Sequence, residues 1–212
     1  HGLGASRAEW TPIGRSLAAR GAGYLALDMR CHGESLTSPD GKVVPGWEGC
    51  AQSALDPAAG WNYLMLVKKL PAGDVIVAGA SIGANLALTA SADGMMKPRA
   101  LVLLSPGLDY RGVKTENALS RVKGVPLFMA AAYADGYALN SVRELNKTAL
   151  MAGNRPMLAT PNSGHGVSMF TPDNPDAKIM LSALNDFVFG LCKSKAPAKK
   201  SAVSEKSPAG VK

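Results

Sequence analysis

Apolar and polar positions along the chain switch repeatedly between a helical period and short continuous apolar runs. In "EWTPIGRSLAAR" (9–20), Trp10, Ile13, Leu17 and Ala18 recur at helical spacing, and Gly21 and Gly23 stop the run. "YLALD" (24–28) is a short apolar run ending in an acid, the pattern of a buried parallel strand. Residues 31–47 read as loop. "SALDPAAGWNYLMLVKKL" (53–70) predicts a helix begun by Asp56-Pro57. "DVIVAG" (74–79) predicts a strand, and "IGANLALTASA" (82–92) a helix whose small residues let it press closely on a sheet. Strands follow at 99–105, 125–133 and 156–161, with helices at 138–152 and 176–192.

Strands separated by helices predict an α/β fold with a doubly wound, mostly parallel sheet flanked by helices. Sites in such sheets gather beyond the carboxyl ends of the strands. No internal repeat is visible. The link 106–124 is too short to hold an inserted lid domain, so the site is expected to be open.

Composition sharpens the domain boundaries. The 212 residues are 47% hydrophobic and 18% charged, which suits one globular domain with a real core. The net charge of +7 is uneven: 193–212 holds six Lys and one Glu, leaving +2 for residues 1–192. That Lys/Ala/Pro/Ser-rich tail has almost no apolar bulk and is expected to be disordered. It is the one segment able to attract nucleic acid or another acidic partner, and no aromatic residue is interleaved among its lysines. It reads better as a solvated appendage. No apolar run approaches the roughly 18 residues that span a bilayer. The chain opens at His1, and "HGLG" reads as the loop after a strand, so an N-terminally truncated domain is expected, any targeting peptide being lost with it. Cys31, Cys50 and Cys192 form no CxxC pair, which argues against zinc, and their odd number leans towards a reducing, cytoplasmic compartment.

The chemistry centres on "GASIGAN" (79–85), where Ser81 stands between Gly79 and Gly83 in a G-x-S-x-G pattern after an apolar run. A serine on a sharp strand-to-helix turn presents its Oγ to solvent, and the glycines let neighbouring backbone pass close. The competing reading makes Ser81 a helix N-cap. A serine nucleophile needs a base, and the base needs a carboxylate to orient it. His165 lies between glycines in "SGHG", after the last predicted strand. His1 and His32 each open an "HG" pair and read as loop-shaping residues. Asp135, in "ADGY", and Asp109, in "GLDY", both follow strand ends; Asp135 is preferred, with Asp109 kept open as the triad acid. Asp28 is expected to pair with Arg30. The order Ser81, Asp135, His165 is that of an α/β-hydrolase. The backbone amides of Ile82 and Leu3 would then form the oxyanion hole. No Walker lysine and no G-x-G-x-x-G spacing supports a nucleotide site.

Together, "HGLGASRAEW", "LAARGAGYLALDMRCHGES", "GASIGAN", "ADGY" and "SGHG" resemble successive landmarks of the α/β-hydrolase fold, over residues 1 to about 191. Within it they are similar to capless, dienelactone-hydrolase-like or esterase/lipase-like members. The resemblance implies Ser81 as nucleophile, His165 as base and Asp135 as acid. Cys31 stands where similar sequences usually carry Gly, and the elbow holds Ser where dienelactone hydrolases proper carry Cys.

The expected function is hydrolysis of small or short-acyl carboxylic esters through an acyl-enzyme, with a small-molecule ester as partner and no metal or organic cofactor. Peptide or thioester hydrolysis by the same triad is an alternative. A non-catalytic binding module of the same fold is a third reading, and its mark would be a lost nucleophile, base or acid.

Overall fold

Six strands are assigned in this computed structural model, which describes residues 1–37, 40–42 and 55–193. They are β1 (Ile76–Ala80), β2 (Ala100–Leu104), β3 (Asp109–Tyr110), β4 (Val113–Lys114), β5 (Leu127–Ala130) and β6 (Met157–Ala159). β1, β2, β5 and β6 form a parallel sheet in that spatial order, with Ile76 opposite Ala100, Leu101 opposite Leu127, and Phe128 opposite Met157. β3 and β4 make a separate antiparallel hairpin. The helices are α1 (Thr11–Ala18), α2 (Leu55–Asn62), α3 (Ile82–Ala92), α4 (Glu116–Arg121), α5 (Gly136–Met151) and α6 (Ala177–Lys193).

The inner strands are apolar at every position because both faces of the sheet are covered. Leu101, Leu103, Leu127 and Met129 point to one face, where Ala84 and Leu88 of α3, Leu119 of α4, and Val142 and Leu145 of α5 meet them. Val102, Leu104, Phe128 and Ala130 point to the other, against Ile13 of α1 and Met180 and Leu184 of α6. Phe128 is fully buried there, and such a side chain contributes about 1.5–3 kcal/mol by leaving water.

The small residues around the elbow have a steric cause. A Cβ on Gly79 would stand 2.2 Å from the Gly83 carbonyl oxygen, and one on Gly83 would stand 2.5 Å from the His1 carbonyl oxygen. A Cβ on Gly2 would meet Ser81 Cβ at an ordinary 3.5 Å. Gly79→Ala is therefore expected to destabilise the fold by about 3 kcal/mol or more, and Gly2→Ala by much less. Urea denaturation of the two variants beside the parent checks this.

Several sequence expectations are corrected. Residues 24–28 form no strand: 22–29 carry no ladder, and Tyr24 and Leu25 are exposed. A strand needs a paired neighbour, and among the described residues β1 is paired only to β2. The helix expected over 53–70 is α-helical to Asn62 and then widens into a π-turn, Tyr63–Val67. Asp28 does not pair with Arg30. Its buried carboxylate takes the amides of Arg7 (2.7 Å) and Glu34 (3.0 Å) and pairs with the Arg7 guanidinium, while Arg30 grips Asp56 at 2.7 Å. Burial works to raise the Asp28 pKa, but these donors outweigh it and hold the carboxyl below the usual range. Cys31 is disulfide-bonded, which removes the basis for reading a reducing compartment from the odd cysteine count. Cys50 and the tail from residue 194 lie outside the described residues. No helix among the described residues is long and apolar enough to cross a membrane.

Candidate active site

Ser81 joins β1 to α3 with φ 54° and ψ −125°, a backbone conformation that costs a non-glycine residue about 1–3 kcal/mol. Its amide donates to the Leu104 carbonyl at 2.8 Å, and its carbonyl accepts from Ala84 at 3.0 Å. Ser81 stands at the N-cap position of α3, but its side chain makes no cap bond there, so Oγ is left for other partners.

His165 enters after β6. Its flanking glycines both have positive φ, 104° at Gly164 and 57° at Gly166. A Cβ on Gly166 would press on Ala80 at 3.1 Å, so this loop lies directly against the elbow. The Gly166 amide donates to Ser105 Oγ at 2.9 Å, tying the loop to the end of β2. The imidazole Nδ1 lies 2.6 Å from Asp135 Oδ2. Asp135 follows β5 as the N-cap of α5, and its other oxygen takes the Ala138 amide at 3.4 Å. Asp109 is elsewhere: it is exposed, and its Oδ1 accepts from Gly112 inside the β3–β4 turn at 2.7 Å. Of the two candidate acids, the geometry brings Asp135 to His165.

The other histidines are buried and bound to backbone. His1 Nε2 accepts from the Met29 amide at 2.9 Å, which puts its proton on Nδ1 for the Gly2 carbonyl at 2.8 Å. His32 Nδ1 bonds the Arg30 carbonyl at 2.9 Å. His1 thereby anchors the "HGLG" loop beside Ser81. Gly2 donates its amide to Glu9 at 2.9 Å, whereas the amides of Leu3 and Ile82 have no acceptor among the described residues. Among those residues, no group of three His, Cys, Asp or Glu is placed to hold a metal ion.

Tyr110 was not foreseen from the sequence. It sits on the hairpin 109–114, whose turn residues Arg111 and Gly112 both have positive φ, as a tight two-residue hairpin requires. Asn85 fastens the hairpin by donating to the Val113 carbonyl at 2.7 Å and accepting from Gly107 at 3.0 Å. The Tyr110 hydroxyl bonds the Ser105 carbonyl at 3.3 Å and lies within reach of the Ser81 hydroxyl. Burial, then the Asp135 charge, pushes the phenol from 10.0 up to about 12, against the Ser81 hydrogen bond. The folded pKa exceeds the unfolded one. The neutral phenol's contribution to stability is thus intact below pH 10.0 and is lost as pH rises towards about 12. Tyr110→Phe should flatten this alkaline limb in urea titrations across that range.

A family model described as alpha/beta hydrolase fold matches residues 1–156. No curated protein matches the chain by sequence. Among solved structures, an esterase from Pyrococcus furiosus aligns with a TM-score of 0.70 at 19% identity, covering 90% of this chain and 78% of that one. A dienelactone hydrolase from Anabaena variabilis gives 0.63 at 18% identity, with 90% and 83% covered. A Bacillus cereus carboxylesterase gives 0.59 at 15% identity, with 88% and 85% covered.

Proposed function

Because the chain belongs to the α/β-hydrolase fold family, we propose that it is a serine ester hydrolase acting through an acyl-enzyme on small or short-acyl carboxylic esters. The observation that carries this reading is the 2.6 Å contact between His165 and Asp135, on a loop packed against a strained Ser81 whose side chain caps nothing.

Asp135 accepts the Nδ1 proton of His165 and so presents Nε2 as the base. His165 takes the Ser81 proton as Oγ attacks the ester carbonyl. The oxyanion forms against the amides of Ile82, at the positive end of α3, and Leu3. His165 then protonates the departing alcohol. The same imidazole activates the water that releases the acid and restores Ser81.

The preference for small groups is supported by the connection between β2 and β5. It builds only the β3–β4 hairpin and the six-residue α4, with no lid to sequester a long chain. The test is intact mass after treatment with a fluorophosphonate. One stoichiometric adduct on Ser81 is expected, together with turnover of acetyl and butyryl esters. A folded protein that takes no adduct would overturn the proposal.

A further inference from the structure

The β3–β4 hairpin brings a large ring to the place where a substrate must lie. Tyr110 packs on the cluster of Met29, Ile82 and Leu86, so it covers the residue that follows Ser81. Its ring meets Tyr137 at 5.5 Å between centroids and 65°, and His165 at 6.5 Å and 83°, both edge-to-face. A Cβ on Gly107 would strike the Tyr110 ring at 2.6 Å, so the ring lies directly on that backbone.

Each of these contacts limits ring motion. The hydroxyl is tied to the Ser105 carbonyl at 3.3 Å. Tyr137, which backs the ring, is itself fixed, because its hydroxyl donates to the Asp109 carbonyl at 2.9 Å and accepts from the Asp109 amide at 3.0 Å. The hairpin is held to α3 by Asn85, and Thr115 Oγ1 donates to the Gly107 carbonyl at 2.7 Å. A ring held on this many sides is a fixed wall, not a mobile lid.

Resting on the hydrolase reading above, we infer that Tyr110 is the specificity-determining residue of this site: its ring, set between Ile82, Tyr137 and His165, bounds the space for the ester group beside Ser81. A fixed wall excludes by volume, and discrimination by volume grows with each methylene that fails to fit. The hydroxyl and the ring thus have separable tasks. The hydroxyl braces the wall through Ser105, and the ring sets the size limit.

The experiment compares kcat/KM for p-nitrophenyl acetate and octanoate in the full chain and in Tyr110→Ala, Tyr110→Leu and Tyr110→Phe. Each protein is also melted and labelled with a fluorophosphonate. The octanoate-to-acetate ratio is expected to rise about tenfold or more in Tyr110→Ala, and in the same direction in Tyr110→Leu, which retains an apolar side chain if alanine fails to fold. In Tyr110→Phe the ratio is expected to stay within about twofold of the parent, whatever happens to the absolute rates. A merely structural role would lower both esters together. Folded, labelled Ala or Leu variants with the parental ratio overturn the inference while leaving the hydrolase reading intact. A shift in Tyr110→Phe as large as in Tyr110→Ala overturns the ring assignment. A parent that takes no label overturns both readings.

Discussion

Replacing Ser81 with alanine should lower kcat for a short-acyl ester by about 10⁶-fold and abolish labelling by a fluorophosphonate. The oxyanion donors would remain, and with binding they sustain a residual acceleration of about 10³-fold over water. The fold should survive. Oγ makes no cap bond to α3, and the backbone bonds to Leu104 and Ala84 do not involve the side chain. Alanine inherits the strained φ of 54°, but glycine does not. Ser81→Gly should therefore melt above Ser81→Ala, because relief of about 1–3 kcal/mol of strain exceeds the roughly 0.5–1 kcal/mol of added chain entropy. Steady-state rates and thermal melts of the two variants give both answers. Full activity in Ser81→Ala would remove the nucleophile from the proposal.

Asp135→Asn should cost about 10⁴-fold in kcat with little loss of stability. The two effects separate because Asp135 has two duties. Its Oδ2 meets His165 Nδ1 at 2.6 Å, where an asparagine amide can no longer enforce the tautomer that presents Nε2 to Ser81. Its other duty is to cap α5 at Ala138, which asparagine performs as well as aspartate. Asp109→Asn is the matched control. That carboxylate serves only the hairpin turn, so its loss should change kcat by less than about threefold. Equal losses in the two variants, or a collapse of α5 in circular dichroism, would contradict the division of labour.

The candidate site was legible where local chemistry and chain order agree. Ser81, Asp135 and His165 each stand just past a strand, and glycines mark both the elbow and the His165 loop. The helix 82–92 was read with its observed ends because its small residues answer a local contact, Gly79 on Gly83. What the sequence concealed was non-local. Residues 24–28 have strand composition, but a ladder depends on a neighbour, and composition says nothing of that. Asp28 has a cation two positions away in Arg30, yet it turns to Arg7, twenty-one residues distant in sequence. The hairpin that carries Tyr110 turns on Arg111 and Gly112. Arginine at positive φ is not a residue that announces such a turn, so the aromatic wall stayed hidden in what read as loop.

Among the described residues the parallel sheet holds the proposed catalytic groups unequally: β1, before Ser81, has five residues and a buried end, whereas β6, before His165, has three and an open face. Ser81 is locked to the interior: its amide is bonded to β2, which is paired on both sides. His165 hangs from β6, a three-residue strand at the rim, paired on one side, with Met157 and Leu158 open to water. Local opening starts at such margins, far below the free energy of global unfolding. The Ser81 amide should accordingly exchange its hydrogen only when the whole domain opens, while the His165 loop exchanges through fraying of β6. In mild denaturant the proposed base should then be lost before the proposed nucleophile, and esterase activity should vanish while the core signal of the fold is still intact.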